Sequence, residues 1–308
     1  MLIINGKIFT MADRNYEDGY IRIHKDKIAE LGEMKDLSKE YELDKNEEII
    51  DAKGAWVMPG LIDAHCHVGI VEEKIGLIGD DCNETTTPVT PHIRALDGVN
   101  PMDAAFHDAI MAGITSIMTG PGSSNVVAGN AKRDPIKGEC TSADDILTAI
   151  RIAKEFNLKL TLDHCTEGHL VVDEIIESGF PVIVGPDLTS RSKLEVKNVS
   201  FKTAGILEKA GVKTAIMTDH PVSLIQYLPL CAGLCVKHGL SVEGGLRAIT
   251  INAAEICGVA NLVGSLETGK DADIAIFSNN PMEVFTRTLY TIINGKVVYQ
   301  EDNRNCFT

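Results

Sequence analysis

The chain has 308 residues, 44% apolar and 24% charged, which is length enough for one large domain or two ordinary ones around a sizeable core. A net charge of −15 with no basic block argues against nucleic acid or an anionic membrane surface as a main partner. No apolar run approaches the roughly 20 residues of a membrane helix, and eight scattered cysteines, with no export signal in "MLIINGKIFT", lead us to expect a reduced, cytoplasmic setting.

Taken in order, "IINGKIF" predicts an opening hairpin turning at Asn5-Gly6. "GYIRIHKDKIAELG" and "EEIIDAKGAWVMPG" predict further strands. Residues 57–65 predict one strand running into "AHCH". "NPMDAAFHDAIMAG" predicts a helix capped by Asn100, with Pro101 in its first turn and Gly113 at its end. "ITSIMTG" is a strand, and residues 135–140 are a weak candidate for another. "TSADDILTAIRIAKEFN" predicts a helix with a Ser142–Asp145 capping pattern and an apolar row of Ile146, Ile150 and Ala153. The strands "LKLTLDH", "PVIVGP" and "KTAIMTDH" alternate with the helices "HLVVDEIIESG" and "SFKTAGILEKAG", and two helices follow to Gly258. Cys231 and Cys235 lie four apart in this helical stretch and read as packing. "DADIAIF" is a strand, and "IINGKVV" predicts a closing hairpin at Asn294-Gly295.

The βα alternation predicts a parallel sheet or a TIM-like (β/α) barrel over residues 57–270. Residues 1–56 together with 271–308 predict a small β-sandwich domain built from both ends of the chain. The span 57–270 has 214 residues, short of the roughly 250 of an eight-stranded barrel, and supplies about six strands. The shortfall concentrates at residues 120–143, "GPGSSNVVAGNAKRDPIKGECTSA", which reads as an internal deletion. An incomplete barrel would expose strand edges, so a homo-oligomer that shields them is expected.

His65 and His67 stand at i and i+2 at a strand end, where two imidazoles can reach one ion. Alone, an H-x-H also fits two ordinary histidines. The placement recurs, however: "LTLDH" ends in Asp163 and His164, with His169 soon after, and "AIMTDH" ends in Asp219 and His220. Three apolar strands deliver imidazole or carboxylate at one end, where (β/α) folds place their active sites. Such a set suits Zn²⁺ or a similar divalent ion.

"VMPGLIDAHCH" resembles the first barrel strand of the amidohydrolase superfamily of metal-dependent hydrolases, and "TDHP" resembles the segment carrying its eighth-strand aspartate. "TINAAEICG" followed by "GSLETGKDADIAIF" resembles that family's passage from barrel to small β domain. The likeness covers nearly the whole chain except residues 120–143, and leans toward the imidazolonepropionase- and prolidase-like members. It implies one or two divalent ions, with His65 and His67 as the first-strand pair, His164 as the sixth-strand histidine, and Asp219 as ligand and proton carrier. The implied reaction is attack of a metal-activated water on a carbonyl or similar carbon bearing nitrogen, with Asp219 passing the proton to the leaving nitrogen.

Two features depart from that pattern. "DPIKGECTSADD", where a fifth-strand histidine belongs, has none, and two βα units that would include the fourth-strand lysine are missing. Glu139 is an oxygen donor at the right place. Lys137, if carboxylated, and Cys140 are further stand-ins, against the plainer readings of a solvated lysine and a packed thiol. Cys66 and Cys165 neighbour the ligands on the opposite strand face and read as packing. His169, His220 and Arg94 are expected near substrate; His92 and Arg191 also lie in loops after strands, and an arginine there could fork onto a carboxylate. The leading expectation is hydrolysis of an amide or cyclic amide in a small molecule. The alternative is a shortened relative that has lost catalysis and at most binds metal or ligand.

Overall fold

The computed structural model describes residues 1–37, 47–123 and 136–302. In chain order the elements are β1 (Leu2–Ile8), β2 (Tyr16–His24), β3 (Lys27–Glu33), β4 (Ile49–Asp51), β5 (Trp56–Pro59), β6 (Leu61–Cys66), α1 (Ala104–Met111), β7 (Ile114–Thr119), β8 (Ile136–Cys140), α2 (Ala143–Glu155) and β9 (Leu160–His164). They continue with α3 (Val172–Ser178), β10 (Val182–Val184), α4 (Lys202–Lys209), β11 (Thr214–Ile216), α5 (Leu228–Lys237), α6 (Val242–Ala248), α7 (Ile251–Ile256), β12 (Ile274–Phe277), β13 (Thr288–Ile293) and β14 (Lys296–Gln300).

Both chain ends pair in one eight-stranded sheet, ordered β14-β13-β12-β5-β1-β2-β3 with β4 beside β1. Ile3, Ile21, Ile274 and Ile292 are fully buried in its core. The closing hairpin forms at Asn294 (φ 49°) and Gly295 (φ 71°), both in the left-handed region that a tight two-residue turn requires. The opening hairpin does not form. β1 continues through Asn5-Gly6, with Asn5 left-handed (φ 55°) and a break in register against β2, and Asn5 Nδ2 donates to Asp51 Oδ1. Gly6 is needed there for closeness: a Cβ on it would meet Val57 Cγ2 at 2.6 Å.

The expected strand over residues 57–65 is two strands. β5 belongs to the terminal sheet, pairing with β1 and β12, and β6 begins after Gly60, where a Cβ would strike the Thr115 side chain at 2.2 Å. The first barrel-type helix also starts later than expected. Its cap is Asp103, which accepts from the Ala105 amide, while Asn100 accepts instead from Met102 N and donates to Glu72. Ser142 and Asp145 form the expected capping box on α2, which buries Ile146, Ile150 and Ala153. Between β11 and Gly258 stand three helices, α5, α6 and α7, where two were expected.

The six parallel strands form two sheets, β6-β7 and β11-β10-β9-β8, and no closed barrel exists among the described residues. β6 meets the chain after β11 through two backbone bonds, Asp219 N to His65 O at 3.2 Å and His67 N to His220 O at 2.9 Å. Among the described residues β7 and β8 each have one strand neighbour. Half of the stretch read as a deletion, residues 124–135, lies outside the described residues. No helix among the described residues is long and apolar enough to cross a membrane.

Candidate metal centre

Three strand ends converge. β6 carries His65, with His67 one residue past its end; β9 ends in Asp163 and His164; Asp219 follows β11. An ideal strand would send Asp163 and His164 to opposite faces. His164 instead has φ 65°, which ends the strand and turns the imidazole back toward the cluster, and Asp219 is likewise left-handed at φ 53°. Two non-glycine residues in that region mark local strain at the site.

The ligand atoms of His65, His164 and Asp219 lie within 4.8 Å of one another. His65 Nε2 is 3.5 Å and His67 Nε2 is 3.2 Å from Asp219 Oδ1. Around a tetrahedral ion with bonds of about 2.0–2.2 Å, neighbouring ligand atoms stand about 3.3–3.6 Å apart. The other ring nitrogens are occupied. His65 Nδ1 meets Asp163 Oδ2 at 2.9 Å, His67 Nδ1 meets Gly120 O at 2.7 Å, and His164 Nδ1 meets Gly185 O at 3.1 Å. Donating at Nδ1 leaves each Nε2 with a lone pair facing inward, the arrangement of metal-binding histidines. His65 Nε2 and Asp219 Oδ1 are buried without a hydrogen-bond partner. Such orphans cost about 1–3 kcal/mol each, and one cation between them would satisfy both. The residues fit a divalent ion.

Glu139 joins the cluster from β8, with Oε2 3.6 Å from His164 Nε2. Burial alone would raise the Asp219 and Glu139 carboxyls, but the imidazoles outweigh it and hold both below their ordinary range.

The other expected residues are placed as follows. Cys140 is buried in the core, where its thiol donates to Gly138 O and burial pushes it up to about 12. Lys137, with its side chain 25% exposed, pairs with buried Asp163 at 3.1 Å. Cys66 and Cys165 are fully buried in the core, and Cys231 and Cys235 are buried as well. His220 is fully enclosed; its Nδ1 accepts from Ile225 N at 3.1 Å, and its buried Nε2, without a hydrogen-bond partner, lies 3.8 Å from Glu73 Oε1. His169 is bonded to Thr203 Oγ1 at 2.9 Å. Arg94 is exposed and forks onto Asp97 at 3.0 and 2.5 Å. His92 and Arg191 are exposed, the latter reaching Val199 O at 3.4 Å.

Two residues escaped the sequence reading. Asp63, fully buried, accepts from His65 N at 3.2 Å and from Thr218 N and Oγ1 at 3.2 and 2.5 Å, tying the β6 ligand to the Asp219 segment. Asp103 accepts from Gly69 N and Glu73 N and so anchors the loop after His67. A carboxylate inside an apolar run, as in "LIDAH", was the available signal for the first; nothing local marked the second.

Residues 143–298, just over half of the chain, match the model of the amidohydrolase family. The chain belongs to that family. The structure of an amidohydrolase from Thermotoga maritima MSB8 is 30% identical to it, with a TM-score of 0.90 covering 97% of this chain and 100% of that one. Among curated amidohydrolase relatives, an amidohydrolase of Hapsidospora irregularis is 39% identical over 84 residues, which are 27% of this chain and 8% of that protein. The 5-methylthioadenosine/S-adenosylhomocysteine deaminase of Bacillus thuringiensis (strain Al Hakam) is 40% identical over 80 residues, 25% of this chain. The matches span 8% and 17% of the length of these two curated relatives.

Proposed function

We propose that this amidohydrolase cleaves a C–N bond, amide or cyclic amide, in a small molecule. His65, His67, His164 and Asp219 would hold the metal, with Glu139 as a further oxygen donor. The donor set, imidazole nitrogen with carboxylate oxygen, favours zinc. When bound, a divalent ion acidifies water and polarises the target carbonyl. The protein's own part is positional and acid–base. Three imidazoles are locked through Nδ1, and Asp219, tied to β6 by the bond from its amide to His65 O, presents Oδ1 as the group that takes a proton from water and returns it to the leaving nitrogen. Within the family, the sequence motifs favour imidazolonepropionase- and prolidase-like chemistry.

The observation that carries this reading is the pair of buried, unpartnered atoms, His65 Nε2 and Asp219 Oδ1, aimed at a common point. Elemental analysis of the purified protein, followed by a panel of amides and cyclic amides scored for amine or acid release, tests it. Stoichiometric divalent metal and metal-dependent release are expected; a protein without metal refutes the reading. A second reading, a shortened relative that holds metal or ligand without turnover, is favoured by the separate β6-β7 and β8–β11 sheets and by the absence of a histidine in "KGECT". Metal without release on any substrate supports it. The proposal includes a second copy covering the β7 and β8 edges, which light scattering reports as a dimer or larger.

A further inference from the structure

Behind His65, on its Nδ1 side, stands a lysine that the metal chemistry does not use. Lys137 and Glu139 lie two apart on β8 and share a face. Lys137 Nζ is 3.1 Å from Asp163 Oδ2, 3.0 Å from the Ala64 carbonyl oxygen and 3.2 Å from His65 Nδ1. Asp163 is fully buried, and the same Oδ2 meets His65 Nδ1 at 2.9 Å. Ammonium and imidazole N–H therefore share one carboxylate oxygen. With that assignment the imidazole N–H and two of the three ammonium N–H groups have acceptors, and His65 Nε2 keeps its lone pair. The opposite tautomer, with Lys137 donating to Nδ1, would place a proton on Nε2, where it faces Asp219 and blocks an ion. The ammonium also supplies the counter-charge that a buried Asp163 carboxylate requires.

We propose that Lys137 is a positioning residue. Clamped between Asp163 and the Ala64 carbonyl, it fixes the tautomer and ring of His65 for metal binding and stays outside the coordination sphere as an unmodified ammonium. This rests on the metal reading above. It contrasts with the role the family resemblance assigns to a carboxylated lysine, that of a bridge between two ions. The three contacts hold Nζ on the Nδ1 side of His65, while the ligand cluster lies on the Nε2 side.

The test uses the full chain and needs no substrate. Metal affinity is measured by chelator competition, and the site by the visible spectrum of the cobalt-loaded protein, for wild type, Lys137→Arg, Lys137→Met and Asp163→Asn. Wild type is also examined by ¹³C NMR in labelled bicarbonate for a lysine carbamate. Lys137→Met and Asp163→Asn should lose about 10–100-fold in affinity, the scale for removing a group that orients a ligand. Lys137→Arg, which keeps the charge and cannot be carboxylated, should stay within a few-fold of wild type with the same cobalt spectrum, and no carbamate signal should appear. A carbamate resonance, with Lys137→Arg as weak as Lys137→Met, overturns the clamp in favour of a bridge. Wild-type affinity in Lys137→Met and Asp163→Asn overturns the clamp and leaves the metal site standing. A wild type that binds no metal overturns the site itself. If Lys137→Met does not fold, Lys137→Arg and the NMR measurement still decide.

Discussion

Asp187 offers a quantitative check on the packing above the strand ends. It follows β10 and accepts weakly from Cys235 Sγ of α5 at 3.8 Å, while Cys231 of the same helix lies nearby; burial pushes its carboxyl from 3.8 up to about 7. Between those two values the folded chain keeps the proton and the unfolded chain has lost it. Unfolding then releases a proton, so stability falls as pH rises from about 4 to about 7 and levels off above about 8. At about 1.36 kcal/mol per unit, the whole span is worth roughly 4 kcal/mol, and nearer 2–3 kcal/mol where water reaches a half-buried group. Asp187→Asn removes this dependence. In urea unfolding at pH 5.5, 7.0 and 8.5, the variant should gain roughly 2 kcal/mol relative to wild type between the lowest and highest pH. A difference that stays constant across the three pH values would refute the reasoning, because it would show that Asp187 ionises alike in both states.

Removing metal with a chelator should lower the melting temperature, and zinc at about 100 times its dissociation constant should restore roughly 2.7 kcal/mol, several degrees for a chain of this size. Asp219→Asn should weaken metal binding at least tenfold and abolish any amide hydrolysis, as read by chelator competition and amine release. Gly6→Ala forces a Cβ to 2.6 Å from Val57 Cγ2 and should cost about 1–3 kcal/mol in urea unfolding. Asp103→Ala removes the α1 cap and the acceptor for the Gly69 and Glu73 amides; a loss of roughly 2 kcal/mol and faster proteolysis within residues 70–100 are expected.

Much of the metal cluster was legible because its parts end apolar strands. "AHCH", "LDH" and "TDH" mark the ends of three runs whose alternation to helices is itself readable, and the structure brings His65, His164 and Asp219 within 4.8 Å. Glu139 was legible by position alone, as the donor where a histidine was missing. Less legible were residues whose chemistry has two uses. Asn5-Gly6 and Asn294-Gly295 are the same dipeptide, yet one makes a turn and the other lets a strand pass close to Val57. His220 follows Asp219 directly, but it is sealed under the Ile225 amide. Arg94 finds Asp97 three residues away, within its own loop.

The sequence alone determined most of the order of strands and helices, the strand ends that carry histidine and aspartate, and the family, since these rest on local periodicity and on short motifs. Only the tertiary structure decided which of those groups meet. Lys137 and Asp163 are 26 positions apart and 72 and 98 positions from His65, so nothing local couples them until β8 and β9 pair and bring that pair up behind β6. The same holds for Asp63 and Thr218, separated by 155 positions yet joined by a 2.5 Å hydrogen bond. Local preferences set the elements, and packing across long sequence separations set the protonation, orientation and company of each side chain in the site.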